Sequence, residues 1–117
     1  MEKEALKRIF DFLEEKGEQR APFIWKLEND IPLTKEDLNV KGDLDLRYIE
    51  INSLPEGLKV GGNLDLDWSN IISLPEGLKV GGNLYIDNTP LKKYTNKELR
   101  EMIKPGFIKG KIYRRYL

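Results

Sequence analysis

The sequence predicts a small α+β repeat protein: a solenoid of three stacked rungs of short parallel strands, closed by a helix at one end and by a helix plus strand at the other. Three observations predict it. The eleven letters "LPEGLKVGGNL" begin at Leu54 and again twenty residues later at Leu74, and a fixed period near twenty is the signature of stacked repeats. The apolar residues keep the same step as Leu38/Leu58/Leu78, Val40/Val60/Val80, Leu44/Leu64/Leu84, Leu46/Leu66/Ile86 and Ile51/Ile71/Leu91. Outside that stretch, both flanks exchange the repeat for helix signals.

Aligned on these letters, the copies run 38–57, 58–77 and 78–97, the third decaying after Leu91. The chain divides as a helical cap over 1–37, repeats over 38–94 and a helix–strand cap with a basic tail over 95–117, all in one domain. Within a rung, Leu58-Lys59-Val60 and Leu64-Asp65-Leu66 alternate at period two, as half-buried strands do. Gly61, Gly62 and Asn63 between them suit a corner built on positive φ. The "LPEG" segment makes the second turn, where Pro75 has no amide to offer a central ladder. In stacked rungs, like positions lie about 4.8 Å apart and form columns of one continuous core.

The skeleton L-x-L-x-x-S-x-I-x-x-L-P from Leu64 to Pro75 resembles a leucine-rich repeat. Its twenty-residue length with "LP" at the turn is most similar to the short repeats of bacterial leucine-rich effectors. Two features depart from that pattern. The position the family gives to a buried asparagine holds Ile49, Ser69 and Thr89, and the L-x-V-x-G segment reads as a second strand. A flattened parallel β-solenoid is therefore the alternative fold. From about Leu33 to the "KPGFIKGKIY" ending, the wording also resembles uncharacterised bacteriophage repeat proteins. The phage likeness implies a phage origin, and with it a binder or inhibitor of a host protein as the expected role. Neither likeness supplies an activity.

Three rungs are about the minimum for a stable stack, and bare ends expose core and strand edge. At the N-terminal side, Ala5, Leu6, Ile9, Phe10 and Leu13 fall on one helical face, predicting a helix over about 2–16 that ends at Gly17. Phe23, Ile24, Trp25, Leu27 and Ile31 follow as the densest apolar cluster, expected to seal the first rung. At the other end, Thr95 and Glu98 form the T-x-x-E start of a helix over 96–103, stopped by Pro105-Gly106. "FIKGKIYRRYL" then reads as an extended edge segment guarded by lysines.

Composition narrows the chemistry. The 117 residues contain no cysteine and no histidine, which removes disulfides, thiolate nucleophiles and imidazole acid–base work. No apolar run approaches the ~20 residues of a membrane span, and the charged N-terminus has no secretory apolar region, so a cytoplasmic protein is expected. Net charge is zero, but residues 31–88 carry 5 basic and 10 acidic side chains whereas 89–117 carry 9 and 2. An acidic body with a basic tail points to interaction surfaces.

The residues around the second strand of each rung are expected to face outward: Asp43, Asp45, Arg47 and Tyr48, then Asn63, Asp65, Asp67 and Trp68, then Asn83, Tyr85, Asp87 and Asn88. Of these, Asp45, Arg47, Tyr48, Asp65, Asp67, Trp68, Tyr85 and Asp87 form the expected partner-binding face. The stacking places Asp45 beside Asp65 and Asp67 beside Asp87. Like charges ~5 Å apart repel by about 0.8 kcal/mol in water and about 3 kcal/mol at an effective dielectric of 20. Two readings stay open: an acidic, aromatic platform for a basic protein surface, or a solvated face on which Arg47 pairs with Asp67. A bound cation is a third, without any calcium-binding motif to frame it, and neither a metal site nor a cofactor is assigned.

Lys41, Lys59 and Lys79 on the opposite strand read as solvation of the back. The "GGN" corners match no phosphate-binding loop. In the tail, Lys109, Lys111, Tyr113, Arg114, Arg115 and Tyr116 mix cations with rings able to hold phosphates and stack bases, so nucleic-acid binding is the alternative function. A structural or assembly role is a further one. No enzyme is expected, because a flat strand face offers carboxylate pairs without a pocket.

Overall fold

The alternating triplets of the repeat each settle into a strand of two residues. In the computed structural model, which describes Arg8 and residues 20–114, these are β1 Asn39–Val40, β2 Leu44–Asp45, β3 Lys59–Val60, β4 Leu64–Asp65, β5 Lys79–Val80, β6 Leu84–Tyr85, β7 Phe107–Ile108 and β8 Ile112–Tyr113. The expected helix over 2–16 lies, Arg8 apart, outside the described residues. Two compact units divide the chain at residues 37 and 38.

In the second unit the strands form two parallel four-stranded sheets, ordered β1-β3-β5-β7 and β2-β4-β6-β8. The L-x-V segment thus builds a sheet of its own, as the flattened-solenoid alternative requires. Val40, Val60, Val80 and Ile108 stand in register in the first sheet. Leu44, Leu64, Leu84 and Ile112 do so in the second. Both columns are buried, together with Leu46, Leu66 and Ile86. Complete burial of such a side chain contributes roughly 1.5–3 kcal/mol, so the columns are the main source of stability.

The count of rungs differs from the sequence reading. "FIKGKIY" is a fourth rung that contributes a strand to each sheet, offset 28 residues from the third at Asn83 and Lys111. Helix α3, Asn96–Met102, occupies the extra length and carries Leu99 into the core. Its start is the predicted one: Thr95 Oγ1 accepts from the Glu98 amide while Glu98 accepts from the Thr95 amide. The Thr95 amide, and after it the Thr95 hydroxyl, lower the Glu98 pKa from its ordinary value. A carboxylate held below its unfolded pKa adds stability above that pKa and loses it as pH falls through the folded value. The stability difference between the native chain and Glu98→Gln is therefore expected to be present at pH 7, to begin to shrink near the unfolded pKa of about 4.3, and to be lost only once pH has fallen through the lowered folded value, in paired urea titrations.

The corners also differ. Among the described residues, glycines with positive φ are Gly57 and Gly77 of the "LPEG" turns, at 82° and 85°. The "GGN" glycines instead let successive rungs approach: the Gly62 amide donates to Gly42 O and the Gly82 amide to Gly62 O, both at 2.9 Å. Beside them runs a polar ladder. Asp43 Oδ1 accepts from the Asn63 amide, Asn63 Oδ1 from the Asn83 amide and Asn83 Oδ1 from the Lys111 amide, at 2.7–2.9 Å. Asp43, Asn63 and Asn83 thus link one rung to the next, although Asp43 also stays exposed, as expected. At the positions where the resemblance would put such a ladder, Ile49, Ser69 and Thr89 are buried, and the Thr89 hydroxyl donates to Ile86 O at 2.8 Å.

Two further expectations change. Leu38 ends a short helix, α2 Lys35–Leu38, and is only half-buried, unlike Leu58 and Leu78. Lys41 is not in column with Lys59 and Lys79, because the register pairs Asn39 with Lys59.

The first unit, taken by itself, places Phe23 and Trp25 on helix α1, Arg20–Glu28, with both rings buried. Lys26 Nζ meets Asp37 Oδ2 at 3.0 Å with both side chains almost fully covered. Asp37 also accepts from the Thr34 amide, and Thr34 Oγ1 accepts from the Asp37 amide, so one carboxylate starts α2 and neutralises a buried cation.

Candidate functional site

The second sheet is followed in every repeat by a turn whose residue three places beyond the strand's last outward position has left-handed backbone. Tyr48, Trp68 and Asn88 occupy it with φ of 65°, 62° and 53°. Asparagine tolerates this conformation, whereas large aromatic residues there are outliers. The left-handed conformation costs an L-residue roughly 1–2 kcal/mol. Yet the two rings are also the most solvent-exposed of the large hydrophobic residues described, Tyr48 at 67% and Trp68 at 55%. They stack on each other, centroids 6.3 Å apart and planes 24° apart.

Next to them lies an ion cluster. Asp45 and Asp65 are register partners, as expected. Arg47 offsets their repulsion: its Nε and Nη2 donate to the two oxygens of Asp45 at 2.9 Å, and Nε lies 3.9 Å from Asp65 Oδ2. The hydrogen bond and charge of Asp45, then Asp65 and Tyr48, raise the Arg47 pKa above its ordinary value despite some desolvation. The partner of Arg47 is thus the Asp45/Asp65 pair, where the sequence points to Asp67. Both aspartates also accept the amide two residues on, from Arg47 and Asp67 respectively.

Asp67 and Asp87 are not on this face. They are buried, at 6% and 5% exposure, and Asp67 Oδ1 accepts from the Asp87 amide at 2.7 Å. The strand covers only Leu64–Asp65, so strict alternation stops there and the turn carries the next aspartate inward. Asp87 Oδ1 is buried with no hydrogen-bond partner among the described residues.

Tyr85 continues the Asp45–Asp65 column and stacks on Tyr113 of the fourth rung, centroids 5.1 Å apart and planes 15° apart. This column is therefore acidic over two rungs and aromatic over the next two. No family model, curated protein or solved structure matches this chain. The site accordingly rests on its own geometry.

The tail residues divide. Arg114 is engaged by the fold, donating to Lys92 O, Tyr94 O and Asn96 Oδ1 at 3.1, 2.6 and 2.7 Å. Lys109 and Lys111 are exposed, with Lys109 Nζ 5.7 Å from the Phe107 ring centroid. Arg115 and Tyr116 lie outside the described residues. Among the described residues, no three acidic side chains converge to hold a metal ion, and no helix is long and apolar enough to cross a membrane.

The left-handed position is legible in principle from the letters alone. Comparing the copies gives Tyr, Trp and Asn at one place, and the asparagine is the residue type that marks positive φ.

Proposed function

We propose that this chain is a binding module for a protein partner, with contact centred on the Tyr48–Trp68 pair and bordered by Asp45, Arg47 and Asp65. The observation that carries this reading is the pair itself: two large rings held in strained turns, stacked and exposed, where the third copy has the undemanding Asn88. Strain of this kind gathers at functional positions, and tryptophan, tyrosine and arginine dominate interface hot spots. The partner's matching surface is cationic, since Asp43, Asp45 and Asp65, none of them buried, outnumber Arg47 on these two rungs. Recognition is by rigid presentation, because the stacked rungs fix the spacing of the rings. The phage resemblance makes a bacterial host protein the partner to seek, and a cytoplasmic meeting place follows from it. Tyr85, the register partner of Asp65, borders this surface without centring it.

Trp68→Asn tests the reading. Relief of backbone strain of roughly 1 kcal/mol opposes the loss of ring stacking of similar size, so unfolding stability should stay within about 1 kcal/mol of the native chain. Affinity for a partner captured from host lysate should fall at least about 30-fold, the effect of one hot-spot residue. Undiminished binding by Trp68→Asn and by Tyr48→Asn would place the contact elsewhere.

A further inference from the structure

The first sheet repeats one hydrogen-bonding pattern from rung to rung. Val40 O and Gly42 O accept from the Gly61 and Gly62 amides, Val60 O and Gly62 O accept from the Gly81 and Gly82 amides, and Val80 O and Gly82 O accept from the Lys109 and Gly110 amides. All of these bonds lie between 2.7 and 3.0 Å. The fourth rung should leave the matching carbonyls, those of Ile108 and Gly110, open at the sheet's edge, since β7 is terminal. They are not open. Arg100 Nη1 donates to Ile108 O at 2.6 Å and Arg100 Nη2 donates to Gly110 O at 2.9 Å.

We propose that the Arg100 guanidinium is a side-chain substitute for the amides of a fifth rung, and that it keeps the β7 edge from pairing with a strand of a second copy of this chain. A guanidinium suits the task because its fork offers two donors in fixed geometry. The donors it replaces are those of this chain's own rungs, so a strand of identical sequence is the occupant the edge fits. Exposed parallel edges are templates for such pairing, and a charged residue at the edge is the usual block. Neighbouring features act in the same sense: Phe107 is exposed on that edge, and Lys109 lies over its ring.

The experiment is to measure mass by light scattering over a hundredfold concentration range for the native chain, Arg100→Ala and Arg100→Lys, with circular dichroism to confirm folding. The native chain should keep a constant mass. Arg100→Ala should at least double its mean mass at the highest concentration, and Arg100→Lys, with a single ammonium for two carbonyls, should fall between. If the alanine variant does not fold, the lysine variant is read alone, and it must associate more than the native chain. In parallel, a labelled peptide of residues 78–86 should bind the folded variant at least tenfold more tightly than the native chain. A folded variant with native mass at every concentration and no gain in peptide binding would show that Arg100 only ties α3 to the edge, and would overturn the proposal. Native self-association equal to that of the variant would overturn it as well.

Discussion

Replacing Gly82 by alanine should lower unfolding stability by about 3 kcal/mol, whereas the same change at Gly42 should alter it by no more than about 0.5 kcal/mol. The two residues hold the same place in their rungs. A Cβ at Gly82 would lie 2.9 Å from both the carbonyl carbon and oxygen of Gly62 and would press on Asn63 Oδ1. Real side-chain carbons do not approach backbone so closely, so the rungs must part. Parting them weakens the bond from the Gly82 amide to Gly62 O, and also the bond Asn63 Oδ1 makes with the Asn83 amide. At Gly42 the added carbon meets nothing within 4 Å. Urea unfolding of the two variants decides the matter. Equal losses would mean that glycine is needed at the corner for its backbone freedom, as the letters "GGN" suggest. Unequal losses would mean that it is needed for the approach of one rung to the next.

That contrast also separates what the letters of a repeat declare from what they conceal. Period and alternation place Val60, Leu64 and Leu66 inside, and their columns hold in the fold, because burying an apolar side chain is a property of the residue itself. The polar positions are harder to read, because their direction depends on where the strand stops. Asp65 and Asp67 look equivalent in "LDLDW", yet the two-residue strand ends at Asp65, and the turn sends Asp67 to the amide of Asp87. The fourth rung is hidden for a different reason. Lys109 and Lys111 replace the glycine and asparagine of "GGN", and α3 breaks the twenty-residue step. Only Ile108, Gly110, Ile112 and Tyr113 preserve the pattern there. At the candidate site, exposure of Tyr48 and Trp68 is legible, and so is the Asp45–Asp65 neighbourhood. The geometry of Arg47 is not, since one side chain can reach Asp45, Asp65 or Asp67 and only the turn chooses among them.

Leu64→Ala should be among the most costly single substitutions, at about 3–4 kcal/mol, because Leu64 is fully buried and flanked in its column by Leu44 and Leu84. The more telling measurement is a pair of double-mutant cycles. Alanine at Leu64 and Leu84 together opens two adjoining cavities that can merge or collapse as one, so the pair should depart from additivity by about 1 kcal/mol. Alanine at Leu44 and Leu84 empties positions two rungs apart, about 9.6 Å by strand spacing, with Leu64 still between them. That pair should be additive within about 0.5 kcal/mol. Same residue type, same column and same burial leave rung separation as the variable. Coupling confined to neighbours is what a quasi-one-dimensional stack requires. Equal coupling in both cycles would instead mean that the core relaxes as a whole, and the rung-by-rung rigidity that fixes the spacing of Tyr48 and Trp68 would lose its physical basis.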